Sequence, residues 1–364
     1  MVRIVIAGGG TGGHLFPGIA IAEEFISRYP DAAILFIGTK RGIESRLPAM
    51  KSYNLVTIDV EGIKGRGIMA LIKGAYRIPK SMWQARRAMK KFAPQLVIGV
   101  GGYASGPAVM TAYLMGLPTV IAEQNAVPGI TNRILGKVAE KIFLTYAASG
   151  EWFPRHKVTV SGNPVRSAFT RTRGQMREKA DIRHLLIFGG SQGAAAINKA
   201  VAGMLSEMGK IKNLVQITHQ TGVKDGEAMK QAYQEAGIKA EVTPFIDDMA
   251  AAYRTADLII CRAGATSLAE ITAAGRAAVL IPFPLATNDH QTKNAEELAH
   301  AGAAVIIKES DLTAAVLWNT VSSLLQDEKK LKAMAENSAR QGNINAAAVI
   351  VDSSLALLRQ KKES

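Results

Sequence analysis

Cysteine is almost missing from this chain of 364 residues, where Cys261 stands alone. A single thiol excludes an intramolecular disulfide framework and a cysteine metal cluster, and its place in an apolar run makes the cytoplasm the expected compartment. Long apolar runs are missing too: nothing approaches the ~20 residues that cross a bilayer. The first seven residues turn to glycine too soon for a signal peptide and read better as a first strand. There is no Asp-x-Asp pair to hold a metal, and Asp247 and Asp248, being adjacent, diverge on either a strand or a helix. No metal site is expected. Acidic residues are scarce in the first half. Residues 1–160 carry 20 Lys and Arg against 9 Asp and Glu, residues 161–364 carry 24 against 21, and the net charge of +14 therefore belongs mainly to the first half. Such a surface invites nucleic acid or an anionic membrane.

What is present is alternation. Strand-like runs at Val2–Ala7, Ala33–Ile37, Leu55–Asp59, Leu96–Val100, Thr119–Ala122, Lys141–Leu144 and Val158–Val160 are separated by helical patterns. After Asn163-Pro164 the pattern restarts at His184–Phe188, Leu214–Thr218, Glu241–Thr243, Leu258–Cys261, Ala278–Ile281 and Ala304–Ile307. The length allows two domains, and the alternation predicts an α/β protein with two doubly wound parallel sheets. The tail reads as helices over Leu312–Leu325, Glu328–Arg340 and Asn345–Leu358.

Three glycine loops follow strands: Gly8-Gly9-Gly10-Thr11-Gly12-Gly13-His14, Gly99-Val100-Gly101-Gly102-Tyr103-Ala104-Ser105-Gly106-Pro107 and Gly189-Gly190-Ser191-Gln192-Gly193-Ala194. Ligands of open parallel sheets bind beyond the carboxyl ends of strands, so facing domains would aim these loops into one cleft. The stretch Asp257–Asn294 is organised in the same way. Its strand delivers Arg262-Ala263-Gly264-Ala265-Thr266-Ser267 to a helix start, where bare N–H groups and the helix dipole suit a pyrophosphate. Glu270, about one turn in, could accept from ribose hydroxyls, and Gln291 could read sugar hydroxyls as donor and acceptor. An ordinary strand-to-helix turn, with small residues for close packing, fits the same residues.

The first loop has two readings. Gly8, Gly10 and Gly13 keep the G-x-G-x-x-G spacing of a dinucleotide site, but the second strand ends in Gly38-Thr39-Lys40-Arg41 without the acidic residue that holds a ribose. Lys40 and Arg41 would instead meet a 2′-phosphate, which keeps an NADP oxidoreductase as an alternative. In the other reading His14, where the loop becomes a helix, takes a proton near neutral pH. A capping or packing role is the plain alternative for that histidine.

Taken in order, Gly9–His14, Gly101–Pro107, Glu123-Gln124-Asn125, Gly162-Asn163-Pro164-Val165-Arg166, Gly189–Ala194, Phe245-Ile246-Asp247-Asp248-Met249 and Arg262-Ala263-Gly264-Ala265 closely resemble the MurG family, the membrane-associated N-acetylglucosaminyltransferases of peptidoglycan synthesis. The resemblance implies the GT-B architecture of two Rossmann-like domains. An N-terminal acceptor and membrane-associating domain would span residues 1–162 with a C-terminal helix, 343–364, returning to it, and a donor-binding domain would span 163–342. It implies a hexosyltransferase that moves GlcNAc from UDP-GlcNAc to the 4-hydroxyl of MurNAc in undecaprenyl-pyrophosphoryl-MurNAc-pentapeptide, turning lipid I into lipid II. Another GT-B transferase with a lipid acceptor is the second alternative. Carried over, the donor contacts are Thr11, Gly12 and Gly13, Asn125 near the N-acetyl group, Arg166 and Ser191 near the phosphates, and Ile246 at uracil. Ala265, Thr266, Ser267, Leu268 and Ala269 form the phosphate-facing turn, with Glu270 on the ribose and Gln291 on the GlcNAc hydroxyls. Tyr103 and Glu123 fall on the acceptor side. Thr292 stands where some relatives carry a second glutamine.

The resemblance further implies a peripheral place on the cytoplasmic face of the cell membrane, a part in cell shape and division, association with other cell-wall proteins, no cofactor and no nucleic-acid partner. Without a metal, helix starts and Arg166 would stabilise the leaving UDP, His14 would act as general base, and the anomeric carbon would invert. Lys64–Lys91 holds nine basic residues and no acidic one. Read as a helix, it gives a core stripe of Leu71, Ala75, Ile78, Met82, Ala85 and Met89. Met69, Ile72, Tyr76 and Trp83 lie off that stripe among Lys73, Lys80, Arg87 and Lys90, the mix expected of a surface on anionic headgroups, with a solvated basic face or a nucleic-acid patch as the plain alternative. Pro79 is expected to start or kink the helix.

Overall fold

The computed structural model describes residues 2–40, 42, 44, 50, 52–60, 68–170, 182–190, 193–210 and 212–363, with the side chains of 68–76, 210, 212, 287, 362 and 363 excepted. Two compact units result, one of Met1–Ser167 with Ile344–Ser364 and one of Ala168–Asn343.

In the first unit the strands are β1 (Arg3–Ala7), β2 (Ala33–Thr39), β3 (Asn54–Ile58), β4 (Leu96–Gly99), β5 (Thr119–Glu123), β6 (Lys141–Leu144) and β7 (Val158–Val160). They form one parallel sheet in the order β3-β2-β1-β4-β5-β6-β7. The helices are α1 (Gly12–Arg28), α2 (Ile68–Phe92), α3 (Ser105–Leu114) and α4 (Ile130–Val138), with α5 (Ser167–Thr170) at the boundary. In the second unit β8 (Arg183–Phe188), β9 (Val215–Gln220), β10 (Ala240–Thr243), β11 (Leu258–Cys261), β12 (Ala277–Leu280) and β13 (Ala304–Ile306) make a parallel sheet ordered β10-β9-β8-β11-β12-β13. Its helices are α6 (Ala195–Met204), α7 (Gly226–Ala236), α8 (Met249–Thr255), α9 (Ala265–Ala274), α10 (His290–His300), α11 (Ala314–Gln326) and α12 (Glu328–Gln341); α13 (Ala346–Glu363) belongs to the first unit and packs on α1.

Helices on both faces leave the central strands dry. β1, β4 and β5 are buried nearly throughout, as are β8, β11 and β12, which is why they read as unbroken apolar runs. Val5, Val97 and Ile121 lie in the core of the first unit, and Leu185, Ile217, Leu258 and Val279 in that of the second. β9 runs two residues past its expected end because Thr218, His219 and Gln220 are polar yet buried.

α2 departs from expectation in two ways. It is one helix of 25 residues that carries through Pro79, so the proline costs one hydrogen-bonded N–H without ending the element. The buried stripe is also turned: Ser81, Ala85 and Met89 are buried, whereas Ile78 is 38% exposed. Ser81 lies inward because its hydroxyl donates to Ile78 O at 2.8 Å, leaving no polar atom unpaired. Leu71 and Ala75 of the expected stripe lie outside the described side chains.

Candidate active site

In the first sheet the strand order reverses between β1 and β4, the place where an open parallel sheet leaves a crevice past its carboxyl ends. The loops after these two strands touch backbone to backbone there. A Cβ on Gly102, where φ is +78°, would stand 2.3 Å from Gly9 O, and one on Gly8 would stand 2.7 Å from Gly101 O. Only glycine fits. Thr11, in extended conformation, caps α1 and its carbonyl accepts from Leu15 N at 3.1 Å, which puts His14 in the first turn. The half-buried His14 ring lies on Gly101, where a Cβ would come within 2.6 Å of Nδ1. The same nitrogen is 3.2 Å from Oε1 of Gln124, a buried side chain whose Nε2 donates to Ala122 O at 3.2 Å.

Behind the loop sits a residue to which the sequence reading gave no role. The buried Glu44 carboxylate accepts from Gly10 N at 2.9 Å on one oxygen, and from Thr39 N at 2.6 Å and Thr39 Oγ1 at 3.0 Å on the other. Cβ atoms on Gly9, Gly38 or Gly42 would approach it within 2.6, 2.8 or 2.0 Å, so three glycines clear room for one carboxylate. Loops of this kind usually turn such N–H groups toward phosphate. Here the chain supplies its own anion, and Lys40, the cation meant for a 2′-phosphate, is paired with Asp59 at 2.8 Å. Both features support the dinucleotide alternative poorly. Arg41 lies outside the described residues.

Glu123 closes β5. Its oxygens accept from Asn125 N at 3.0 Å and Asn125 Nδ2 at 3.2 Å, and from Gly129 N at 3.2 Å and Asn132 Nδ2 at 2.9 Å. Four N–H donors commit this buried carboxylate to holding the turn and the Asn125 amide. Tyr103 is exposed beside Gly102. Arg166 stacks over Phe16 of α1, its guanidinium carbon 4.2 Å from the ring centroid, and so belongs with the His14 end of the first unit.

In the second unit the sheet order reverses between β8 and β11. Gly190 and Gly193 have φ of +94° and +76°, and a Cβ on Gly193 would meet Thr221 O at 2.1 Å. Ser191 lies outside the described residues. Beneath this loop the buried His219 bridges Tyr233 OH at 3.0 Å and Asn198 Oδ1 at 3.1 Å, while Asn198 Nδ2 donates to Asp225 at 2.6 Å and to Thr221 O at 2.9 Å. Burial lowers the His219 pKa to about 4.

After β11, Gly264 caps α9 in extended conformation, and buried Ala265 and Thr266 form its first turn with half-buried Ser267. Leu268 turns inward, and Ala269 is half-buried. Glu270 is buried in the second turn, and burial together with this carboxylate pushes the Cys261 thiol well up. Arg262 ties the strand ends together by donating to Ile281 O and Pro282 O, each at 3.2 Å, and pairing with Glu309. Gln291, half-buried at the start of α10, accepts the Phe283 N–H at 3.0 Å, which fixes its amide. Ile246 is half-buried between β10 and α8, and Asp248 caps α8 by accepting from Ala251 N at 2.9 Å.

On α2, Trp83 is 60% exposed, and Arg87 lies over its ring at 5.8 Å. Lys90 is exposed. Lys80 is not a free cation: it pairs at 2.7 Å with Asp59, which sits just past β3 and not on the helix. Two lysines and Gln84 hold the Asp59 carboxyl well below the usual carboxylate range. Met69, Ile72, Lys73 and Tyr76 lie outside the described side chains. The neighbouring α3 adds exposed Tyr113 and Leu114. Among the described residues no helix is long and apolar enough to cross a membrane.

Residues 4–144 match the glycosyltransferase family 28 N-terminal domain, and residues 184–351 match the family's C-terminal domain. A UDP-N-acetylglucosamine–N-acetylmuramyl-(pentapeptide) pyrophosphoryl-undecaprenol N-acetylglucosamine transferase of Syntrophus aciditrophicus is 52% identical over 358 residues, 98% of this chain and 99% of the relative. A relative of the same name from Myxococcus xanthus is 44% identical, covering 99% of this chain and 94% of its own. Among solved structures, the crystal structure of Acinetobacter baumannii MurG superposes with a TM-score of 0.76 at 34% identity, over 98% of this chain and 100% of that one. With its two Rossmann-like domains of GT-B type, the chain belongs to the MurG family, within glycosyltransferase family 28.

Proposed function

We infer that this protein is a hexosyltransferase of peptidoglycan synthesis, which moves GlcNAc from UDP-GlcNAc to lipid I to form lipid II. The observation that carries the reading is identity of up to 52% over nearly the whole length to relatives named for that reaction. The NADP alternative has no such support, and Glu44 already occupies an N–H group that it needs.

His14 is read as the general base. It sits in the first turn of α1, beside two interlocked glycine loops, with its ring fixed by Gly101 and Gln124. As the acceptor 4-hydroxyl attacks the anomeric carbon with inversion, its proton passes to His14 and UDP departs with the electron pair of the broken C–O bond. The first turn of α9, Ala265–Ser267, lies at the positive end of the helix dipole and is suited to the departing phosphates without a metal, Glu270 to the ribose and Gln291 to the sugar. A transfer assay with labelled UDP-GlcNAc and a lipid-linked MurNAc acceptor, run with and without chelator, tests the activity. His14→Ala is expected to lower turnover by about 10² to 10⁴ while UDP still binds; near-normal turnover removes His14 from the role.

The lipid-linked acceptor is read as reached from the membrane surface. Trp83, Arg87 and Lys90 of α2, with Tyr113 and Leu114 of α3, make an apolar patch edged with positive charge, suited to anionic headgroups on the cytoplasmic face. This patch is smaller in charge than the helix sequence suggests, since Lys80 is neutralised.

A further inference from the structure

We propose that Gln124 is the positioning residue that selects the tautomer of His14, keeping the proton on Nδ1 and the lone pair on Nε2. The proposal rests on reading His14 as the base and gives that reading its atom: Nε2 receives the acceptor proton.

The orientation of the Gln124 amide comes first. Its nitrogen lies 3.2 Å from Ala122 O, a carbonyl that can only accept, so this end is the NH₂ group. The other end, Oε1, therefore faces His14 at 3.2 Å from Nδ1. A carbonyl oxygen brings no proton, so the hydrogen of this bond belongs to Nδ1. In a neutral imidazole the second nitrogen is then the acceptor. The opposite tautomer would set two lone pairs against each other beside a side chain that is only 2% exposed, where an unmade hydrogen bond is costly. Among the described residues no other group hydrogen-bonds to the ring. Gly101 blocks escape on one side: its backbone, at φ +86°, comes so near that a Cβ would stand 2.6 Å from Nδ1.

The partner is an amide and not a carboxylate, and that choice has a chemical consequence. A carboxylate at this distance would orient the ring equally well, but it would also stabilise the imidazolium and leave the base protonated at neutral pH. The neutral oxygen of Gln124 fixes direction without adding that attraction. During transfer the O–H bond of the acceptor breaks, the new C–O bond forms, and Nε2 takes the proton. The resulting imidazolium keeps its Nδ1–H bond to Gln124 and returns the Nε2 proton to water for the next cycle.

Nitrogen-15 spectra of the full-length protein at pH 8, with the His14 signals assigned by their loss in His14→Ala, read the tautomer directly. The wild type is expected to carry the hydrogen on Nδ1, and Gln124→Leu to move it toward Nε2, with kcat lower by about 10- to 10³-fold and KM for UDP-GlcNAc unchanged. Gln124→Glu keeps the size and should fold where the leucine variant does not. It should retain the Nδ1–H tautomer and move the acid limb of the kcat profile up by about 1 to 3 pH units. An Nε2–H tautomer in the wild type, or a tautomer and pH profile indifferent to both variants, overturns the proposal. The spectrum reads the Gln124 contact whether or not His14 acts as base, so failure of the base assignment appears separately, in the turnover of His14→Ala.

Discussion

Donor selection is divided between two side chains with different surroundings. Glu270 is buried within α9, whereas Gln291 is half-exposed with its amide pinned by the Phe283 N–H. If they hold ribose and sugar respectively, Glu270→Ala weakens UDP itself, while Gln291→Ala weakens UDP-GlcNAc and leaves UDP nearly unchanged, as calorimetry would record. Equal losses of both ligands in both variants would contradict the division. His219 makes a residue-scale prediction about acid. Unfolded, its ring takes a proton below about pH 6.5; folded, burial holds its pKa down to about 4. The folded state thus binds fewer protons between those values, so its stability is full above the upper one and falls by ~3 kcal/mol as pH drops to the lower. Denaturant melts across this window should show the slope, and His219→Gln should flatten it. Residues such as Glu44 and Asp59 mark where sequence reading stopped. Their partners lie on other elements, or in the case of Glu44 on two loops at once, and no local spacing announces a carboxylate that fits among three glycines.

At the scale of elements, sequence reading went much further. The thirteen strands among the described residues stand near their expected places, and the central ones were the plainest, because a strand buried on both faces must be apolar throughout. Helix faces were less legible. The inward side of α2 depends on Ser81, polar in composition but silent once its hydroxyl bonds within the helix. The basic face of α2 is smaller than its own sequence implies, because Asp59, which pairs with Lys80, lies on another element. This gives an inverse prediction: Asp59→Asn frees Lys40 and Lys80 and should strengthen binding to anionic vesicles by up to roughly thirtyfold at low salt, given about 1 kcal/mol for each basic residue at such a surface. Trp83→Ala should weaken it. Sedimentation with anionic and zwitterionic vesicles distinguishes these effects, and a variant series without lipid preference would remove the patch from membrane binding.

For the whole molecule, the decisive feature is the return of α13 to the first unit. It packs on α1, Arg28 pairs with Asp352, and Lys361 pairs with Glu140 at 2.6 Å, while Ile350 and Val351 are fully buried. A chain ended after Asn343 should therefore lose stability in residues 2–167, which are remote in sequence from the cut, and not in 168–343, which adjoin it. Limited proteolysis mapped by mass spectrometry would show early cleavage in the first unit; first cleavage in the second would refute the expectation.

The same return makes the second unit a guest in the sequence of its host, with 168–343 inserted between the host's two segments. On the ribosome the order of completion is then reversed. The unit whose synthesis begins first waits, with one flank of α1 uncovered, until the entire guest has been made, and the guest can finish folding earlier. For the interval of translation between Ser167 and Ala346 the nascent host carries an unsealed apolar seam, and a chaperone that recognises such seams would find its best opportunity there.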